Sequence, residues 1–162
     1  MATNISLDLT DQPAEADVKA VEHGLNAYNE PFSGPYLPRP LAIFLRGDEG
    51  RVLGGLVADT SDDWLKIDML WVDDTLRGHG WGSRLLLAAA GEGLALGCRR
   101  AALDTASFQA PDFYRRHGYQ VIGTVPNFNE GHDLFYMIKD LVPSPTAPED
   151  ETREGVAGTT EV

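Results

Sequence analysis

The run LKIDMLWVDDTLRGHGWGSRLLLAAAGEGLAL, from Leu65 to Leu96, decides the fold of this chain. Its first eight residues alternate as a β-strand does. Leu65, Ile67, Met69 and Trp71 are expected on one face, and Lys66, Asp68, Leu70 and Val72 on the other. A short polar turn leads into Arg77-Gly78-His79-Gly80-Trp81-Gly82, with a glycine at every second position. Glycine lets backbone N–H groups turn inward and lets a ligand approach where a Cβ would stand in the way. An apolar helix follows, expected from Trp81 to Leu96 with Gly97 as its stop. Its unpaired N-terminal N–H groups and the positive end of its dipole point at the same spot. Loop and helix start together make an anion site suited to phosphate.

Two familiar phosphate loops do not fit. A P-loop requires Lys and then Ser or Thr after its last glycine, whereas Ser83-Arg84 follows Gly82. A dinucleotide fingerprint requires G-x-G-x-x-G directly after a strand, but position 83 is Ser and five residues separate the strand from Gly78. An acid where a ribose would be read, Asp104, is the one feature in favour of that second pattern.

What fits is R-x-x-G-x-G, which resembles the acyl-CoA pyrophosphate loop of the GNAT superfamily of N-acetyltransferases. The run from Leu103 to Tyr119, LDTASFQAPDFYRRHGY, strengthens the likeness, because it resembles the family's next strand, its loop and its F-Y-x-x-x-G-[FY] helix. The resemblance spans roughly residues 5 to 141. It implies an α/β fold of GNAT type, a mixed and strongly twisted sheet with helices on both faces. It also implies an acetyl-CoA-dependent enzyme that acetylates a primary amine by direct transfer. The alternative is a non-catalytic acyl-CoA-binding or regulatory module on the same fold.

Composition is compatible with that reading. A chain of 162 residues with 43% apolar content suits one core. The expected division is a catalytic domain over residues 1–142 and a disordered tail over 143–162, which is rich in proline, small and charged residues. No apolar run reaches the length of a membrane span, and the first residues lack a signal-peptide pattern. The single cysteine, Cys98, suits a reducing cytoplasm and reads as a buried inert thiol. A net charge of −12 argues against a nucleic-acid surface and favours cationic ligands such as amines, a small-molecule amine ahead of a protein. Homodimers are common in the family, but the sequence specifies no interface. His23, His117 and His132 share no metal-ligand spacing, so no metal is expected.

Along the rest of the chain, Ile5 to Leu9 reads as a first strand. Val18, Val21, Leu25 and Tyr28 mark a helix reaching about Asn29. The four prolines between Glu30 and Pro40 predict irregular structure, with Phe32 and Tyr36 as walls of a site or plugs at the core edge. Two strands, Leu41 to Arg46 and Arg51 to Ala58, flank a hairpin at Gly47-Asp48-Glu49-Gly50. After the central helix come a strand from Arg100 to Asp104, a short helix from Pro111 to His117 and two last strands. Gly91 and Gly93 inside the central helix each cost roughly 1 kcal/mol, which close packing on the sheet is expected to offset.

Acetyl transfer to an amine requires a held donor, a neutral amine, an oxyanion partner and an acid for the thiolate. The resemblance assigns the donor to Arg77, Gly78, His79, Gly80, Trp81, Gly82 and Ser83, with Leu70, Trp71 and Val72 along its pantetheine arm. Gln109 is a further donor contact. His79 also reads as a solvent-facing spacer. Tyr114 takes the family's acid position, and its ordinary pKa near 10 matches a thiolate of similar basicity. An amine of pKa near 10.4 is only about one part in 2,500 neutral at pH 7, a deficit of roughly 4.6 kcal/mol. Asp68 is the candidate base. The family's usual Glu falls near Lys66, which cannot serve.

Overall fold

The computed structural model describes residues 5–142, so the expected tail lies outside the described residues. In chain order these form α1 (Glu15–Ser33), β1 (Arg39–Arg46), β2 (Val52–Ser61), β3 (Trp64–Val72), α2 (Trp81–Ala95), β4 (Arg100–Ala106), α3 (Pro111–Arg116), β5 (Gln120–Asn129) and β6 (His132–Asp140). Single turns of 3₁₀ helix join β1 to β2 and follow β3. The six strands make one mixed sheet in the order β1-β2-β3-β4-β6-β5. Only the β3–β4 pair is parallel, and α2 makes the crossover between its members.

Apolar side chains from one face of the sheet meet α2 and α3. Leu56, Leu65, Ile67, Ala101, Leu103 and Met137 from the strands pack with Leu85, Leu86 and Ala89 of α2 and Tyr114 of α3. Each fully buried leucine or methionine among them contributes about 1.5–3 kcal/mol relative to exposure. Cys98 is buried in the same cluster, where burial raises its thiol pKa and the nearby Asp63 charge adds to the effect. An inert thiol is the result.

The expected alternation of β3 fails halfway along. Leu65 and Ile67 point into the core, but so do Leu70 and Val72, while Met69 and Trp71 are exposed. The cause is a bulge: Ile67 pairs with Ala58 and Met69 with Val57, which leaves Asp68 unopposed. One extra residue shifts every later side chain to the other face.

Three other expectations need correction. Ile5 to Leu9 is not a strand; it forms no regular structure and is exposed. The first helix does not stop at Asn29 but continues through Pro31 to Ser33, because a proline near the end removes only one intrahelical bond, and Gly34 N–H still reaches the Glu30 carbonyl (2.9 Å). Arg39 and Pro40 belong to β1, where proline is tolerated at the start of an edge strand.

The two helical glycines also differ. A Cβ on Gly93 would stand 3.3 Å from Leu65 Cδ2, so the helix approaches β3 closely there, whereas a Cβ on Gly91 would meet nothing within 4 Å. Gly91→Ala is therefore expected to raise stability by about 0.5–1 kcal/mol, from helix propensity alone. Gly93→Ala is expected to gain less or to destabilise, because Leu65 must give way. Urea melts of the two variants check this contrast.

Candidate active site

The parallel pairing of β3 with β4 covers only Trp64–Lys66 against Arg100–Ala102. Beyond it the strands part. From Ile67 onward β3 keeps β2 on one side and presents a free edge of backbone N–H and C=O groups on the other. A cleft of about 920 Å³ fills the gap.

The glycine loop closes one end of this cleft. Gly78 and Gly80 have φ of 77° and 79°, the left-handed region that side chains with a Cβ resist. Gly80 caps α2, and no atom lies within 4 Å of where its Cβ or that of Gly78 would be. The backbone thus opens onto space at a helix N-terminus, the geometry of an anion cradle. Asp73 stiffens the approach by accepting the Thr75 N–H (3.0 Å) and hydroxyl (2.6 Å). Those bonds hold its carboxyl below the usual range. Arg77 turns back to donate from Nε to the Val72 carbonyl (3.0 Å) and pairs with Asp74 (2.6 Å). The arginine therefore braces the loop against the end of β3.

The opposite wall comes from β4 and α3. Tyr114 is buried, with Phe113 and Tyr119 edge-on to its ring. Burial first, and then the Asp104 charge, raise its hydroxyl above the ordinary phenol value. It remains a proton donor well into alkaline solution. Gln109 Oε1 accepts from the Ala106 N–H (2.8 Å) and the Thr105 hydroxyl (3.2 Å). Its carbonyl is thereby committed to holding the turn after β4, while its amide remains available to the cleft.

Of the residues singled out from the sequence, the cleft brings together Asp68, Leu70, Trp71, Val72, Arg77, Gly78, Gly80, Trp81, Gly82, Ser83, Gln109 and Tyr114. His79 is not among its lining residues; its Nδ1 lies 2.9 Å from the Arg77 carbonyl at the surface, the arrangement of a spacer. Asp68 sits in the bulge, 3.6 Å from Lys66 Nζ and partly exposed. Asp104, Phe108 and Arg116 also line the cleft without having been assigned to it from the sequence. The signal for Asp104 was present, since a lone acid interrupts the apolar strand Arg100–Ala106.

The model of the Acetyltransferase (GNAT) family matches residues 9–119. The chain belongs to the GNAT family. Among curated relatives, a blasticidin-S acetyltransferase of Streptomyces morookaense is 37% identical over 107 residues, covering 64% of this chain and 79% of that one. An acetyltransferase of Agrobacterium fabrum is 35% identical over 132 residues, covering 82% and 94%. A solved structure from Agrobacterium tumefaciens, named as an acetyltransferase, superposes with a TM-score of 0.78 at 32% identity, covering 84% and 99%. The protein is thus an acetyltransferase of GNAT fold, and the expected mixed sheet of GNAT type and the enzyme class hold; of the helices expected on both faces, α2 and α3 pack on one, while α1 buries no residue. Among the described residues of this acetyltransferase, no helix is long and apolar enough to cross a membrane.

Proposed function

We propose that this acetyltransferase moves the acetyl group of acetyl-CoA directly onto a primary amine of a small cationic molecule. The observation that carries the reading is the cleft itself, whose lining combines an anion cradle at Gly78 to Ser83 with two carboxylates, Asp68 and Asp104, and the hydroxyl-bearing Tyr114. The backbone of Gly78 to Ser83 and the start of α2 would hold the pyrophosphate. The free edge of β3 at Leu70 to Val72 would bond the pantetheine arm and polarise the thioester carbonyl. Acetyl-CoA supplies the activated acyl group and a thiolate leaving group.

The chain's own residues supply the proton traffic. Asp68 and Asp104 draw a cationic amine into the cleft and take up its proton, directly or through water. Tyr114 donates its proton to the departing sulfur, and its raised pKa keeps it protonated for that step. The two carboxylates in the cleft lining, Asp68 and Asp104, and the blasticidin-S acetyltransferase relative both support a cationic, antibiotic-like acceptor. A coenzyme A-release assay over blasticidin S, aminoglycosides, polyamines and amino acids tests this. Turnover with none of the cationic amines would overturn it.

The two carboxylates are separable by pH. Removing the Asp104 charge takes away one cause of the raised Tyr114 pKa, so Asp104→Asn should move the alkaline limb of the kcat–pH profile to lower pH. Asp68→Asn should instead slow turnover most at low pH, where the amine is most protonated, and least where it is already neutral. An unchanged profile in the second variant would dismiss Asp68 as the base.

A further inference from the structure

Over β1 to β3, the sheet face opposite α2 and α3 is apolar and exposed among the described residues. Phe44 lies across Gly55 from Trp71, and Ala42 lies across Val57 from Met69, so these side chains share one patch over β1, β2 and β3. Phe44, Met69 and Trp71 are each roughly half exposed or more. The same chain carries a second uncovered apolar surface. On α1, Val18, Val21, Leu25, Tyr28 and Phe32 recur at helical spacing along one stripe, and no residue of that helix is buried. The stripe and the patch also match in length. Nineteen residues of helix span about 28 Å, as do eight or nine residues of strand.

We infer that α1 of one copy lies on the open sheet face of a second copy, and reciprocally, so that the acetyltransferase is a two-fold dimer formed by exchange of this helix. The hinge argues for a second copy rather than the chain's own sheet. Only Gly34 to Pro38 separate α1 from β1, and Pro35 and Pro38 fix φ at two of those five positions. Gly34 ends the helix at φ 77° and ψ 179°, and on its own copy α1 buries none of its residues. Exchange covers both apolar surfaces without bending this short hinge.

The area is sufficient. Tyr28 and Phe32 are 72% and 83% exposed, and Phe44 and Trp71 about half. At roughly 150–250 Å² per aromatic side chain, and with the aliphatic residues added, two reciprocal contacts come to on the order of the 1,200–2,000 Å² that stable interfaces bury. Met69 and Trp71 belong both to this patch and to the cleft lining. The exchanged helix therefore also reaches the cleft wall at Met69, next to Asp68, and that wall is not complete in a single copy.

Sedimentation velocity of the full chain at micromolar concentration should show a dimer. Leu25→Glu, on an exposed helix face, should leave the circular dichroism spectrum unchanged, weaken dimerisation at least 100-fold and raise the acceptor KM. The melting shift produced by acetyl-CoA should survive in that variant, so loss of the dimer is distinguishable from loss of the donor site. Mixing a mass-tagged Val21→Cys chain with an untagged Met69→Cys chain should give a disulfide-linked band at the sum of the two masses. A wild-type monomer, or a Val21→Cys/Met69→Cys double variant that links only within one chain, would overturn the exchange.

Discussion

Tyr114→Phe should lower kcat by about 10²-fold or more while leaving acetyl-CoA affinity and folding almost unchanged. The substitution removes one oxygen. The ring remains between Phe113 and Tyr119, whose centroids lie 5.1 and 5.8 Å away, so packing in that corner of the core is kept. The hydroxyl has no hydrogen-bond partner among the described residues, so its loss leaves no protein group unsatisfied. What disappears is a proton at the place where the thiolate departs. Steady-state kinetics and a melting curve on the same preparation check both halves. Full activity in the Phe variant would reduce Tyr114 to a packing residue and leave coenzyme A to depart through water.

Gly80→Val should abolish the rise in melting temperature that acetyl-CoA causes in the parent. The φ of 79° at Gly80 lies where a β-branched residue is strained by its own backbone, and this residue caps α2. Because a Cβ at Gly80 would face open space beyond its immediate chain neighbours, a clash with the rest of the chain is not the reason. The new side chain would instead occupy the space in which the pyrophosphate is proposed to sit. Gly78→Ala, also at positive φ, should give a weaker form of the same loss. NAD and ATP should give no shift in the parent. A Val variant that retains the full shift would move the donor away from this loop.

How much of this was legible in the sequence depends on the type of signal. The loop and the central helix were, because glycines at every second position and an apolar run each have one physical reading. The strand after the central helix was legible too, since a helix of that length between two strands is a crossover. The bulge at Asp68 was not legible: no residue type marks it, and only pairing with Val57 and Ala58 reveals the extra residue. Consequently Met69 and Trp71 were placed on the wrong face. The N-terminal strand failed for a related reason. Alternation in Ile5 to Leu9 shows that the segment is suited to a sheet, not that it pairs with its own. Asp104 was seen but read against a nucleotide-binding pattern, because its position across the cleft from Asp68 depends on the parting of β3 and β4.

That parting makes the site sensitive to a single count. Along a strand, neighbouring amides alternate between the two edges, so which N–H groups of Leu70 to Val72 face the cleft depends on parity measured from Trp64. The unopposed Asp68 changes that parity once. Deleting Asp68 would leave Leu70 and Val72 in the core, because Ile67 and Met69 would then pair with Ala58 and Val57 without a break. Pairing β3 through Asp68 with no bulge would instead turn Leu70 and Val72 out, turn Met69 and Trp71 in, and exchange the amides facing the cleft for those bound to β2. A chain with every residue of the site but an unbulged strand would have its reactive groups in the correct order along the strand and on the wrong sides of it.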